Sequence, residues 1–119
     1  METETQSSLN LLANGRIWIN TEKGPYLGYG RVELLEKVKQ FGSIRQAALD
    51  MKMSYRQAWE LIDQMNQQAG APLILTQRGG KGGGQAVVTE AGEAAIVLFH
   101  AFNEAFQEFL KSYTERLNG

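Results

Sequence analysis

The 119-residue sequence predicts a mainly α-helical, α+β fold the size of one domain. Two helix-start signals, Ser43-x-x-Gln46 and Ser54-x-x-Gln57, lie eleven residues apart, and each pairs a serine cap with a glutamine three residues later. Two short runs of strand-forming residues flank a glycine-rich stretch at residues 78–84. Apolar residues then recur at helical spacing to the end of the chain. Helices should therefore dominate, with β-structure confined to short hairpins.

Composition argues against enzyme chemistry. The sequence contains no cysteine, which excludes disulfides, thiolate metal sites and cysteine nucleophiles. Its one histidine, His100, has no second histidine or spaced carboxylate pair that would make it a ligand or a base. We therefore expect no enzyme activity, metal or cofactor. Neither an apolar run of membrane-spanning length nor a signal-peptide pattern is present, so we expect a cytoplasmic protein without a membrane partner.

Charge is distributed unevenly along the chain. The formal net charge of −1 is low for a nucleic-acid-binding domain. Residues 31–88, however, carry eight basic and five acidic side chains, a net charge of +3, whereas residues 89–119 carry two basic and five acidic ones, a net charge of −3. A domain with segregated charge can present a basic face to phosphate while its acidic face points away.

The amino-terminal part predicts a small β-hairpin. Residues 1–10 are expected to be disordered. Ile17 and Ile19 alternate with polar neighbours, and residues 21–25 have the composition of a turn. Trp18 falls on the opposite face of this strand, where we expect it to pack under a later element.

A core helix is predicted over residues 31–41. Gly42 follows in the position that commonly ends a helix in the left-handed conformation. The inward side chains of this helix are Val32, Leu35, Val38 and Phe41.

Residues 43–66 have the pattern of a helix-turn-helix. The first helix begins at Ser43, and the Ala47-Ala48 pair lets a second helix approach closely. The second helix begins at Ser54 and is the candidate reader of bases, with Trp59 expected to pack the helix. Its predicted inward residues are Ala58, Leu61, Ile62 and Met65, and its outward residues are Tyr55, Arg56, Gln57, Glu60 and Gln64. A helical hairpin that contacts no DNA is the alternative.

Two strands, at residues 73–76 and 85–89, enclose the glycine-rich stretch and predict a wing. Glycine backbone can approach a sugar-phosphate chain closely, while Arg78 and Lys81 supply positive charge. A nucleotide-binding P-loop does not fit, because Lys81 is followed by glycine and then by a strand. We therefore predict a winged helix-turn-helix domain over residues 11–88.

Residues 89–119 predict one long helix that starts at Thr89 as its cap. A helix of about 28 residues, at about 1.5 Å per residue, would run roughly 42 Å, longer than the core of so small a domain can cover. Its aromatic stripe is spaced close to a coiled-coil repeat, so we predict a dimerisation helix, with coverage of its own domain as the alternative. The predicted dimerisation residues are Phe99, Phe102, Phe106, Phe109 and Tyr113.

Several short motifs occur in order between Gly42 and Gly92. They are Gly42-Ser43-Ile44, Ser54-Tyr55-Arg56, Ala58-Trp59, Met65-Asn66, Gly79-Gly80-Lys81-Gly82-Gly83-Gly84 and Val88-Thr89-Glu90-Ala91-Gly92. Over this stretch the sequence resembles the amino-terminal DNA-binding domain of the ModE family of molybdate-responsive bacterial regulators, whose winged helix-turn-helix is similar to that of LysR-type regulators. The resemblance implies that the helix from Ser54 enters the major groove, that the wing touches the DNA backbone or minor groove, and that the long helix pairs two subunits.

Full-length members of that family carry oxyanion-binding domains after the long helix, whereas this sequence ends at Gly119. The resemblance therefore does not imply molybdate sensing for this sequence. A natural stand-alone form and a piece of a longer protein both remain open.

Together these features predict a homodimeric, sequence-specific regulator of transcription that binds double-stranded DNA at an inverted repeat. One alternative is a winged-helix module for protein interaction or dimerisation without DNA affinity, which the low net charge favours. Another is a binder of small oxyanions that uses the glycine-rich loop as an anion nest. The predicted DNA-binding residues are Ser43, Arg45, Ser54, Tyr55, Arg56, Gln57, Glu60, Arg78, Gly80, Lys81 and Gly82.

Overall fold

Four α-helices and two antiparallel β-hairpins make up the described residues, 9–77 and 85–119, of the computed structural model. The elements in chain order are β1 (Ile19–Thr21), β2 (Gly24–Leu27), α1 (Tyr29–Phe41), α2 (Ile44–Asp50), α3 (Tyr55–Gln68), β3 (Ile74–Gln77), β4 (Gln85–Val88) and α4 (Glu90–Asn118). The predicted α+β winged helix-turn-helix class is confirmed. The chain divides into two compact units, one of residues 18–100 and one that joins the residues up to 17 with residues 101–119.

A tight turn closes the first hairpin. β1 pairs antiparallel with β2, with Thr21 opposite Gly24. The Thr21 hydroxyl accepts a hydrogen bond from the Lys23 N–H (3.0 Å), and Gly24 has a φ of 122°, which favours glycine. The predicted hairpin is confirmed, but pairing reaches back only to Ile19, so Trp18 lies outside the strand. The Trp18 side chain is 61% exposed, and the prediction that it packs under a later element is wrong.

Helix α1 begins at Tyr29, two residues earlier than the pattern predicts. It ends as predicted, because Gly42 is left-handed (φ 68°) and its N–H donates to the Val38 carbonyl (2.7 Å). Phe41 was predicted to face inward and is instead exposed, because it is the last helical residue before the chain turns away. Leu34, which was not among the predicted inward residues, is fully buried.

The core of residues 18–100 contains the facing sides of α1, α2 and α3. Ala47 and Ala48 on α2 and Ala58 on α3 are almost fully buried, so small side chains line this part of the core, as predicted. Leu61 was predicted to be inward but is only half-buried. The larger and remaining buried side chains are Leu27, Val32, Leu34, Leu35, Val38, Ile44, Ile62, Met65, Leu73, Ile74, Ala86, Ala95, Ile96 and Phe99.

The second hairpin contains the two strands predicted for the wing. β3 pairs antiparallel with β4 in a register that places Ile74 opposite Val88. The Asn66 side chain of α3 accepts a hydrogen bond from the Leu73 N–H (2.8 Å) and donates one to the Ile74 carbonyl (3.0 Å). The strand begins at Ile74, one residue later than predicted, and the Ile74 N–H also donates to the Asn66 side-chain oxygen (3.3 Å). The hairpin is thereby fastened to the end of α3.

Helix α4 starts at a cap that also fastens the preceding chain. The Thr89 hydroxyl accepts a hydrogen bond from the Gly92 N–H (3.0 Å) and donates to the Pro72 carbonyl (2.6 Å), which confirms Thr89 as the predicted cap. Phe99 is 1% exposed, and its ring meets that of Tyr29 edge to face with centroids 5.2 Å apart. Its assignment as a dimerisation residue is therefore corrected, because the core of its own unit covers it.

Polar contacts at the surface join α4 to α1. His100 Nε2 lies 2.7 Å from Glu36 Oε2, and Lys39 Nζ lies 3.0 Å from Glu93 Oε1. Both pairs are partly exposed, so each contributes only about 0–1 kcal/mol to stability. No helix in the described part of the chain is both long and apolar enough to cross a membrane.

In the second unit, residues 9–17 run beside the carboxyl-terminal half of α4. The Asn118 amide oxygen accepts from the Leu11 N–H (3.0 Å), and its amide nitrogen donates to the Leu11 carbonyl (2.8 Å). The Ala13 N–H donates to the Thr114 hydroxyl (2.8 Å). The prediction of disorder over residues 1–10 falls mainly on residues 1–8, which lie outside the described residues.

Candidate nucleic-acid interface

A short turn joins α2 to α3 and fixes where α3 begins. The Met53 N–H donates to the Ala48 carbonyl (3.0 Å) and the Lys52 N–H to the Leu49 carbonyl (3.1 Å). This pair of bonds is a Schellman motif, which places one residue in the left-handed conformation. Here that residue is Lys52, with a φ of 57°. The turn therefore holds an exposed cation immediately before α3.

Serine caps begin both helices of the motif. The Ser43 hydroxyl accepts from the Gln46 N–H (3.1 Å), and the Ser54 hydroxyl accepts from the Gln57 N–H (3.0 Å). The serine half of each predicted capping box is confirmed. Each hydroxyl acts as an acceptor in its cap, and its own O–H can still donate to a DNA phosphate, so the DNA contacts predicted for Ser43 and Ser54 stay predictions.

The outer face of α3 carries two parallel pairs of side chains, each separated by one helical turn. In the first pair, Arg56 Nε lies 3.3 Å from Glu60 Oε2, and both side chains are well exposed. In the second, the Trp59 indole N–H donates to the Tyr55 hydroxyl at 2.7 Å. Trp59 was expected to pack the helix, but it lies at the surface. The predicted outward residues Tyr55, Arg56, Gln57, Glu60 and Gln64 are all exposed.

Arg45 connects α2 to the aromatic pair on α3. Its guanidinium carbon lies 4.5 Å from the centroid of the Tyr55 ring, within the range of a cation–π contact. Arg45, Lys52 and Arg56 are all exposed around the start of α3. The structure therefore brings together the predicted interface residues of α2 and α3.

The tip of the predicted wing lies outside the described residues. Arg78, Gly80, Lys81 and Gly82 all fall in the gap between residues 77 and 85. The strands on either side are described, and their outer face carries the cross-strand pair Leu75 and Val87, both more than half exposed. The DNA contacts predicted for the four tip residues stay predictions.

A shallow groove of about 380 Å³ adjoins the inner edge of α3, and the sequence did not reveal it. Its walls are largely apolar, and Trp18, which directly precedes the first hairpin, and Gln57 from α3 both line it. The pattern could not place Trp18 here, because its position depends on the register of the hairpin. The other residues that line the groove are Pro25, Leu27, Gly28, Gly30, Arg31, Met53 and Leu61.

Arg31 is the charged residue in this groove. Its Nη2 donates to the Gln64 side-chain oxygen (2.8 Å), while its Nη1 is buried without a hydrogen-bond partner among the described residues. Burial lowers the pKa of Arg31 below its ordinary value, because removal from water disfavours the charged form. The direct bond to Gln64 links α1 to the outer face of α3.

The match to a known protein family covers the helix-turn-helix and the strands of the wing, and it leaves out the first hairpin. Residues 30–93 match the family described as bacterial regulatory helix-turn-helix protein, lysR family. The chain belongs to this family. The matched residues run from the start of α1, through α2, α3 and the second hairpin, into the first turn of α4. The part of this structure that matches the LysR-type family is therefore the three-helix core together with the strands of the wing.

Individual relatives confirm the resemblance to ModE proteins. The "Molybdenum transport protein ModE" of Azotobacter vinelandii is 36% identical over 103 residues, which is 87% of this chain and 38% of that protein. The "Molybdenum-pterin-binding protein MopB" of Rhodobacter capsulatus is 38% identical over 95 residues, 80% of this chain and 35% of that protein. The "DNA-binding transcriptional dual regulator ModE" of Escherichia coli (strain K12) is 44% identical over 69 residues, 58% of this chain and 26% of that protein. The chain thus spans well under half the length of these relatives.

Most of the predicted dimerisation residues lie on the carboxyl-terminal half of α4, in the second unit of this LysR-type protein. Phe102, Phe109 and Tyr113 are exposed, and the rings of Phe109 and Tyr113 stack with centroids 5.8 Å apart. Phe106 is only half-exposed, because its ring tip lies 3.0 Å from where a Cβ on Gly15 would be. The exposed side chains of the aromatic stripe therefore lie next to the part of α4 that residues 9–17 cover.

Proposed function

We propose that this LysR-type protein is a regulator of bacterial transcription that binds double-stranded DNA in a sequence-specific manner through α3. One observation carries the proposal. Helix α3 buries Ala58, Ile62 and Met65 in its own unit. Its opposite face, which carries Arg56, Glu60 and Gln64, is exposed. A helix held in this way can enter the major groove without loss of its own packing.

The side chains on this face have the chemistry that base recognition needs. The Arg56 ion pair with Glu60 uses Nε, and a guanidinium has four further N–H donors on Nη1 and Nη2, which suit the two acceptors of guanine. The Gln57 side chain can pair with adenine in the same bidentate way. Arg45 and Lys52 lie to one side, where cations favour the DNA backbone. In this proposal Arg56 and Gln57 specify the sequence, and Arg45 and Lys52 add affinity.

We further propose that two copies pair through the exposed aromatic row of α4. Phe102, Phe109, Tyr113 and Leu117 are each more than 40% exposed, and monomers rarely present so large an apolar row to water. A two-fold axis through this row would give the dimer two copies of α3. Such a dimer should bind an inverted repeat whose half-sites lie about 34 Å apart, one turn of B-DNA.

The names of the relatives connect them with molybdenum, but this chain matches only about a third of their length. We therefore propose for it the DNA-binding role of its family, exercised in the bacterial cytoplasm without enzyme activity. An interaction module without DNA affinity is the second candidate. The Arg56 and Glu60 ion pair favours it, because the pair neutralises Arg56, the single cation in the sequence of α3.

Selection from a pool of random duplexes tests the proposal. The protein, with Arg78 and Lys81 intact, is incubated with the pool at low salt, and bound duplexes are amplified and sequenced over several rounds. We expect enrichment of an inverted repeat and a complex of two chains per duplex in light scattering. Failure to bind any duplex at low salt would favour the interaction module. Binding without enrichment would reject sequence specificity.

A further inference from the structure

The aromatic pair Tyr55 and Trp59 is held in one arrangement on the exposed face of α3. The two side chains lie one helical turn apart and are 41% and 36% exposed. Trp59 donates its indole N–H to the Tyr55 hydroxyl at 2.7 Å, and the Arg45 guanidinium lies over the Tyr55 ring. The Tyr55 side chain is thus held by Arg45 at its ring and by Trp59 at its hydroxyl. The same hydrogen bond holds the Trp59 indole in place.

The bond between them determines what Trp59 can offer to another molecule. A tryptophan side chain has one hydrogen-bonding group, the indole N–H, which can only donate. In this structure that group is already used by Tyr55. The exposed remainder of the indole is carbon, so Trp59 meets a ligand through an apolar surface.

The major groove presents one apolar group among its donors and acceptors, the C5-methyl group of thymine. Trp59 follows Arg56 by three residues, about one helical turn, so these two side chains share the face of α3 that the proposed function places against base edges. We propose that Trp59, positioned by Tyr55, recognises a thymine methyl group in each half-site. This inference rests on the proposed function, because it requires α3 in the major groove.

Deoxyuridine supplies the direct test, since it keeps every hydrogen-bonding group of thymidine and lacks only the methyl. Each thymine of the selected site is replaced singly by deoxyuridine, and affinity is measured by fluorescence anisotropy. Burial of one methyl contributes about 0.8 kcal/mol, so we expect a loss of about fourfold at one symmetric position of each half-site, and about fifteenfold when both half-sites are changed.

Substitutions then assign the methyl contact to its residue. In Trp59→Ala we expect weaker binding to the thymine site and equal affinity for thymine and deoxyuridine at the sensitive position. Arg56→Ala is the matched control on the same face, and it should bind more weakly but retain the preference for thymine. Tyr55→Phe keeps the ring and removes the hydroxyl that holds Trp59, so the preference should fall while the fold, followed by circular dichroism, is preserved.

The outcomes separate this inference from the proposed function. Specific binding with no loss at any deoxyuridine would overturn the methyl contact and leave the DNA-binding proposal intact. Retention of the thymine preference in Trp59→Ala would assign the methyl to another residue and also overturn the inference. The scan on the unsubstituted protein decides the first point even if Trp59→Ala fails to fold. A protein that binds no duplex refutes the proposed function itself.

Discussion

Gly92 packs directly against the main chain of Leu73. A Cβ on Gly92 would lie 2.4 Å from the Leu73 carbonyl oxygen and 2.6 Å from Val88 Cγ1. The first turn of α4 therefore approaches the second hairpin at a distance that only glycine permits. We predict that Gly92→Ala lowers the free energy of unfolding by about 1–3 kcal/mol, measured by urea denaturation, because backbone must shift to make room.

The control for this prediction is Gly30→Ala. Gly30 lies in the first turn of α1, where an added Cβ would meet nothing within 4 Å. Alanine favours the helix over glycine by up to about 1 kcal/mol, so this variant should be unchanged or more stable. Equal stabilisation by both substitutions would show that the contact between Gly92 and Leu73 is looser than the structure indicates.

Lys52 carries the left-handed backbone of the turn before α3. A left-handed residue with a Cβ costs roughly 1–2 kcal/mol relative to glycine. We therefore predict that Lys52→Gly raises the free energy of unfolding by about 1 kcal/mol, measured by thermal and urea denaturation. Lys52→Ala removes the same charge and keeps the strained backbone, so it should gain no stability. Identical stability of the two variants would contradict the strain argument.

Signals that depend on neighbouring residues were predicted well. The caps at Ser43, Ser54 and Thr89 and the helix end at Gly42 all lie where the sequence places them, because each is made by hydrogen bonds within a few residues. The bond between Tyr55 and Trp59 also spans one helical turn, and their spacing alone could have suggested it. The order of these local signals along the chain was enough to predict the winged helix-turn-helix fold.

Features that depend on distant parts of the chain were predicted poorly. Periodicity identified the aromatic stripe of α4, but it could not tell that Tyr29 covers Phe99 while Phe102 stays exposed. Trp18 was misplaced because hairpin register decides its position, and Arg31 was overlooked because the groove beside it forms only in the folded unit. The spacing of apolar residues in a helix predicts which face is apolar, and tertiary packing decides which residues cover that face.

Arg56 is predicted to distinguish the selected site from random DNA. Loss of a bidentate contact with guanine costs roughly 1–3 kcal/mol, so Arg56→Ala should lower affinity for the selected site by that amount and relax the preference at one base pair. Glu60→Gln is the control, because it keeps the side-chain size and releases Arg56 from its ion pair. We expect this control to bind random duplexes at least as tightly, because it removes a negative charge from the face that meets DNA. Equal loss on selected and random duplexes in Arg56→Ala would mean that Arg56 contacts only phosphate.

The wing is predicted to contribute charge without specificity. Replacement of Arg78 and Lys81 by alanine should weaken binding to all duplexes about equally. Each phosphate contact contributes about 0.9 to the slope of log affinity against log salt, so the slope should fall by roughly 1–2 for each wing. Anisotropy titrations at several salt concentrations measure this change. An unchanged slope would exclude a DNA contact and favour the oxyanion nest, which titration with molybdate or sulfate then tests.

The exposed aromatic row of α4 is predicted to hold two chains together. Phe102 and Phe109 are 42% and 58% exposed, whereas Phe106 is partly covered within its own chain, so the first two are the residues to change. In Phe102→Asp with Phe109→Asp, four carboxylates would enter the interface of a dimer without partners, which is strongly unfavourable. We expect monomers or aggregates in light scattering at micromolar concentration, and a much lower affinity for the inverted repeat, because one reader helix replaces two.

Gln107→Asp with Lys111→Gln changes the net charge by the same amount at exposed positions away from the row, and it should remain dimeric. A monomeric unsubstituted protein with full affinity for a single half-site would show that the row has no role in assembly.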